Sequence, residues 1–191
     1  MTTISDAPRR KDAQRNREAI LAAARELFAE SADVPMYEIA RRAGVGQATL
    51  YRNFPDQREL AAALLDEGLG HLEQLAETHA ADPDAFFVLL RSTVDSCAYM
   101  HALSELAQQD ACLGSRLEAC RHRVEELLTG PLCAAKAAGR LRRDVTLDDL
   151  FTVLSMVRGA ASTADGPAAR AAAASRALTL VVDGLAPPPI R

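Results

Sequence analysis

The chain has no tryptophan, and aromatic residues make up only 4% of its 191 residues. Strands are enriched in aromatic and β-branched residues, so this scarcity argues against sheets. It favours an aliphatic, alanine-rich core of closely packed helices. No run approaches the roughly 18–20 apolar residues needed to cross a bilayer. Met1 to Lys11 hold no apolar stretch of the kind that marks a secretory leader. The expected address is cytoplasmic, with no membrane partner. No C-x-x-C pair exists, since Cys97, Cys112, Cys120 and Cys133 stand 15, 8 and 13 residues apart. They read as small buried hydrophobes, and a metal or redox role would require Cys120, His122 and His101 to converge. G-x-S-x-G, a phosphate loop and H-E-x-x-H are all missing as well. No enzyme chemistry, metal or cofactor is therefore expected.

What is present is a globular balance of 49% hydrophobic and 25% charged residues. The net charge of −4 hides an asymmetry. Residues 1–60 carry 10 Lys+Arg against 9 Asp+Glu, and the remainder carries 12 against 17. Arg9, Arg10, Lys11, Arg15 and Arg17 cluster at the head, opposed in that stretch by Asp12 alone. A basic head on an acidic body points to polyanion contact at one end only.

Prolines at 35, 55, 83, 131 and 167 punctuate the interior, and the spaces between them read as helices. The first helix is expected over about 12–31, with Ile20, Leu21, Ala24, Leu27 and Phe28 on one face. Two short helices follow near 36–43 and 47–53. Asp56-Gln57-Arg58-Glu59 then opens a long helix to about residue 78. Further helices are expected over about 83–101, 102–110, 114–138, from Thr146, and over 167–184. Gly130-Pro131 should break or kink the third of these. No fixed-period repeat appears. The expected fold class is all-α, with about nine helices.

Met36 to Phe54, MYEIARRAGVGQATLYRNF, carries the chemistry. Ile39, Ala40 and Ala43 give one apolar face, Gly44 can take a positive φ, and Leu50 and Phe54 lie four apart for the core. The pattern is a helix, a three-residue turn and a second helix that can enter the major groove. Gln47, Ala48, Thr49, Tyr51, Arg52 and Asn53 cannot all be core. Gln and Asn pair bidentately with adenine, Arg binds guanine or phosphate, and Ala or a Thr methyl meets the thymine methyl. Tyr and Thr hydroxyls suit phosphate oxygens. An ordinary helical hairpin with a polar face is the other reading of the spacing alone.

Phe28, Ile39-Ala40-Arg41-Arg42-Ala43-Gly44-Val45-Gly46, Thr49-Leu50-Tyr51-Arg52-Asn53-Phe54-Pro55 and Glu59-Leu60 together resemble the signature of the TetR family of bacterial transcriptional regulators. The likeness covers about residues 10–60. It implies an N-terminal three-helix DNA-binding domain and a larger helical domain that dimerises and usually binds a small effector. By position, Gln47, Ala48, Thr49 and Tyr51 match groove-facing residues. Arg52 and Asn53 match positions that touch phosphate or bases, and Tyr37 matches one on the preceding helix that also reaches DNA. Pro35 stands where the family often has a Ser or Thr cap, so Asp33 or the proline's fixed φ must serve. Gly46 replaces the usual Ser cap, and Gln57 replaces a common phosphate-binding Lys. Arg58, or an arm with Arg9, Arg10 and Lys11, is placed to make up that loss.

The resemblance implies a helix-turn-helix domain, at 11–55, and an effector and dimerisation domain, at 56–186; the charge and proline patterns add a basic arm at 1–10 and a proline-rich tail at 187–191. Residues 134–150 also look like a join seen in TetR-like C-terminal domains, leading into two helices that pair with a second copy. Leu150, Leu154, Val157, Leu178, Val181 and Val182 are the candidate dimer residues, with burial inside the monomer as the alternative. Candidates for an effector pocket are Phe87, Leu90, Val94, Cys97, Tyr99, Met100, His101, Leu103, Met156 and Arg158. The resulting expectation is a homodimeric repressor released from palindromic operator DNA by a small molecule. The alternative is control by cysteine redox state or by a partner protein.

Overall fold

A computed structural model describes residues 6–187, the side chains of residues 6–10, Cys97 and Pro167 excepted. Among the described residues the chain forms α-helices and no strand. They are α1 (Asp6–Phe28), α2 (Met36–Ala43), α3 (Gln47–Asn53), α4 (Gln57–Thr78), α5 (Ala85–Gln109), α6 (Ala111–Ala137), α7 (Leu147–Ser162) and α8 (Pro167–Leu185). The all-α expectation holds. The segments read as 83–101 and 102–110 form one continuous helix, α5, because no Gly or Pro interrupts them. Pro131 lies inside α6 and does not end it. The first helix begins at Asp6, so residues 6–10 of the supposed arm are helical. The Arg9 and Arg10 side chains and the last four residues of the tail lie outside the described set.

The chain divides into two compact units. One takes the chain as far as Glu67 together with Tyr99–Glu118, and the other comprises Gly68–Ala98 and the chain from Ala119. In the first unit α1 packs on α2 and α3, and α2 on α3. Ile20, Ala24, Phe28, Ile39, Leu50, Phe54, Leu60 and Leu64 are buried there. In the second, Leu72, Phe86, Leu89, Leu90, Val94, Leu128, Leu132, Leu141, Val153 and Val157 belong to one apolar cluster. The ring of Phe87 meets that of Phe86 edge-on at 5.2 Å between centroids. Helices α7 and α8 pack side by side.

The same device ends α2 and α6. Gly44 and Gly139 both take φ 67°. Beyond them the Val45 and Arg140 amides reach back to Ala40 O and Ala135 O, at 3.0 and 2.9 Å. These bonds satisfy carbonyls that a helix end otherwise leaves open. Alanine at Gly44 is expected to cost about 1 kcal/mol, since a side chain disfavours this left-handed conformation. A urea titration of Gly44→Ala checks the loss.

Carboxylate caps open three helices. Asp56 accepts from the Arg58 and Glu59 amides, and Asp110 accepts from the Leu113 amide. Thr146 and Asp149 form a reciprocal capping box on α7. Each carboxyl is held below its ordinary value, chiefly by a backbone N–H: that of Glu59 for Asp56, Leu113 for Asp110 and Thr146 for Asp149. A folded-state pKa below the unfolded one contributes stability that is present above the unfolded value. It is lost as pH falls through the folded one. Melting temperature is therefore expected to be insensitive to these groups near neutrality and to fall as pH drops below about 4. Asp149→Asn should reduce that acid dependence in a series of melting curves.

Candidate nucleic-acid interface

The α2–α3 corner presents a short helix to solvent. Pro35 occupies the N-cap of α2 with φ −61° and no side-chain cap bond, so the proline ring, not Asp33, sets the start. Gly46 caps α3 with an ordinary extended φ of −69° and likewise no side-chain bond. Leu50 and Phe54 anchor α3 at 0% and 2% exposure. Across the ring of Phe54 lies the Arg17 guanidinium, 4.6 Å from its centroid. This contact joins the middle of α1 to the last turn of α3. Sequence reasoning missed it because the two residues are far apart in the chain.

With those anchors inside, Gln47, Ala48 and Tyr51 are exposed. Tyr51 is 48% exposed and Tyr37, on α2, is 57% exposed. Both are large amphipathic side chains left standing in water, one on each helix of the pair. Thr49 and Asn53 are half-buried. Arg52 folds back along its own helix, donating from Nε to Ala48 O at 3.1 Å and from Nη2 to Thr49 Oγ1 at 3.1 Å. Asn53 Nδ2 donates to Thr49 O at 2.8 Å. Lys11 and Arg15 are exposed on α1. Arg41 and Arg42 are each paired, with Glu38 at 3.0 Å and Glu26 at 2.8 Å.

Gln57, a DNA-contact candidate by its position, is bonded to the backbone in the free chain. Its amide donates to Ala32 O at 2.8 Å and Val34 O at 3.4 Å, tying the head of α4 to the loop before α2. In the free chain the Gln57 amide therefore braces the head of α4 against that loop.

The chain matches a family model described as bacterial regulatory proteins, tetR family, over residues 20–64. A second model, the C-terminal domain of SbtR-like transcriptional regulators, matches residues 81–187 and so covers more than half of the chain. The chain belongs to the TetR family. Members of this family are DNA-binding transcriptional regulators and not enzymes. A solved TetR regulator from Streptomyces coelicolor is 32% identical, with TM-score 0.65, over 91% of this chain and 99% of that one. One from Mycobacterium vanbaalenii is 31% identical, with TM-score 0.64, over 93% and 99%. An HTH-type transcriptional regulator of Staphylococcus aureus strain USA300 is 30% identical over 104 residues, 49% of this chain. The match spans 56% of that relative, so the chain covers about half the length of the curated relatives it matches.

In this TetR-family chain several residues read as body sites take other places. Leu150, Val157 and Leu178 are buried in the apolar cluster of the second unit. They are packed within the single chain. Leu154, Val181 and Val182 are partly buried against the same cluster. The exposed large apolar residues of α7 and α8 are Met156 at 57% and Leu180 at 54%. Met156 therefore does not line a closed pocket, and neither does the exposed Arg158. His101 is 67% exposed and pairs with Glu105 at 2.9 Å, four residues along its own helix. Leu90 and Val94 are buried in the second unit's cluster, with Phe87 packed against it. Tyr99 and Leu103 are buried in the first unit, and Met100 is half-buried there. The Cys97 side chain lies outside the described set. Among the described residues no group of three or more His, Cys, Asp or Glu is arranged to hold a metal, and no helix is long and apolar enough to cross a membrane.

Proposed function

We propose that the chain is a cytoplasmic, homodimeric repressor that reads a palindromic operator with α3 and is released from it by a small-molecule effector. The observation that carries this reading is the exposed triplet Gln47, Ala48 and Tyr51 on a helix held from behind by Leu50 and Phe54. Gln47 stands at the first position of α3, where side chains of a recognition helix meet base edges. The Tyr37 and Tyr51 hydroxyls suit the flanking phosphates. One such helix reads one half-site. Two half-sites lie about 34 Å apart, and spanning them takes two copies. Met156 and Leu180 offer the apolar surface for that pairing.

The test is selection of source-genome fragments by purified protein at physiological salt. Wild-type protein is expected to enrich a palindrome, and the genes beside it name candidate effectors. Gln47→Ala is expected to weaken binding to that palindrome by about 1–3 kcal/mol and to relax one base position in each half-site. Tyr51→Ala is expected to weaken it across sequences. Equal enrichment by wild type and both variants would remove α3 as the reading element.

A further inference from the structure

Arg58 is the one Lys or Arg between residues 53 and 90, a stretch with eight Asp and Glu. It lies five residues beyond the end of α3, in the same compact unit as the helix-turn-helix. An extended chain of five residues spans at most about 18 Å, so the head of α4 stays close to the recognition helix. Gln57 beside it is uncharged, and its amide is engaged with the Ala32 and Val34 carbonyls. Arg58 is thus the cation that this helix start can offer to a DNA phosphate.

In the free protein two carboxylates hold that cation. Arg58 Nη1 donates to Asp110 Oδ2 at 3.0 Å, and Nη2 to Asp56 Oδ2 at 3.1 Å. The side chain is nonetheless 59% exposed. A guanidinium has five N–H donors, and this pairing leaves room for another oxygen. Asp110 is the single residue between α5 and α6. Its two oxygens have separate tasks: Oδ1 caps α6 through the Leu113 amide at 2.8 Å, and Oδ2 holds Arg58. Asp110 thus ties the α5–α6 corner to Arg58.

We propose that Asp110 competes with DNA phosphate for Arg58, so that the α5–α6 corner meters operator affinity by holding or releasing one phosphate contact. The proposal rests on the DNA-binding reading above. Its chemistry is an exchange of one charge-assisted hydrogen bond, carboxylate for phosphate, with no new group required.

The experiment measures affinity for a selected genome fragment across a salt series. Asp110→Asn keeps an oxygen for the cap and replaces the other with a donor that cannot hold a guanidinium. It is expected to raise affinity about two- to fivefold, the range of an exposed ion pair. It should also steepen the slope of log K against log salt by about one. Asp110→Ser, a second good cap, should do the same and guards against misfolding of the first variant. In an Arg58→Gln background both gains should vanish. An equal gain in both backgrounds would show only long-range relief of negative charge and overturn the proposal. So would an unchanged slope, or a joint, non-additive loss with Arg58→Gln, which would make the pair a positional tie. Failure of the wild type to bind any fragment would strike the regulator reading itself. Wild-type binding with a flat response to Asp110→Asn would strike this proposal alone.

Discussion

Phe54→Ala is expected to lower the unfolding free energy of the helix-turn-helix unit by about 3–5 kcal/mol, the usual cost of emptying a buried aromatic site. Phe54 is 2% exposed and follows the last residue of α3, and its own amide closes the helix on Leu50 O at 2.8 Å. The ring is therefore both the floor under α3 and its terminus. Removing it leaves a seven-residue helix with Leu50 as its one fully buried anchor. A helix that short does not hold itself in water. DNA binding should fail together with stability. Arg17→Gln makes the sharper comparison. It removes the guanidinium 4.6 Å above the same ring and leaves the ring in place. The loss should be about 0.5–1 kcal/mol. Urea titrations of both variants, followed by helical signal and by retention on an operator fragment, test the pair. Equal losses would mean that the cation, not the buried ring, holds α3.

The contrast between those two variants shows what the sequence made legible. Leu50 and Phe54 declare themselves by spacing, four apart on a helix that follows a glycine turn. Gly44 declares its positive φ by sitting where an apolar face stops. The Thr146/Asp149 capping box is likewise local and readable. Arg17 on Phe54, Gln57 on the Ala32 and Val34 carbonyls, and Arg58 on Asp110 join residues 23 to 52 positions apart. No periodicity announces them. Long polar side chains look like ordinary solvated surface until the fold brings their partners close. The body shows the same limit in reverse. An apolar stripe at helical period says that a helix buries one face, and it does not say against what. Leu150 and Val157 on α7 and Leu178 on α8 belong to two such stripes, and all three are buried within the single chain. The large apolar residues that the two helices leave more than half exposed are Met156 and Leu180. Similarly, His101 could be read as a ligand anchor only while its direction was unknown; its pairing with Glu105 places it on the surface.

Met156→Glu with Leu180→Glu is expected to convert the protein to a monomer and to cut affinity for a full palindrome by about 10²–10⁴-fold. That range is what linking two binding modules contributes beyond either alone. The argument starts from burial. Both side chains are more than half exposed in the single chain, on helices that pack against each other and present little other large apolar surface. The substitutions therefore leave the monomer's core intact. Removing Leu178 instead, at 2% exposure, would damage that core and confuse assembly with folding. Two carboxylates placed against a second copy meet their symmetry mates, since a two-fold interface brings the same patch from each side. Each would have to lose water without a partner, which is costly enough to prevent association. Light scattering reads the mass, and thermal melting reads the fold. Binding to a single half-site should stay unchanged, because α3 is untouched. A dimer that persists in the double variant would place the pairing surface elsewhere on the chain, and the loss of palindrome affinity should then disappear with it.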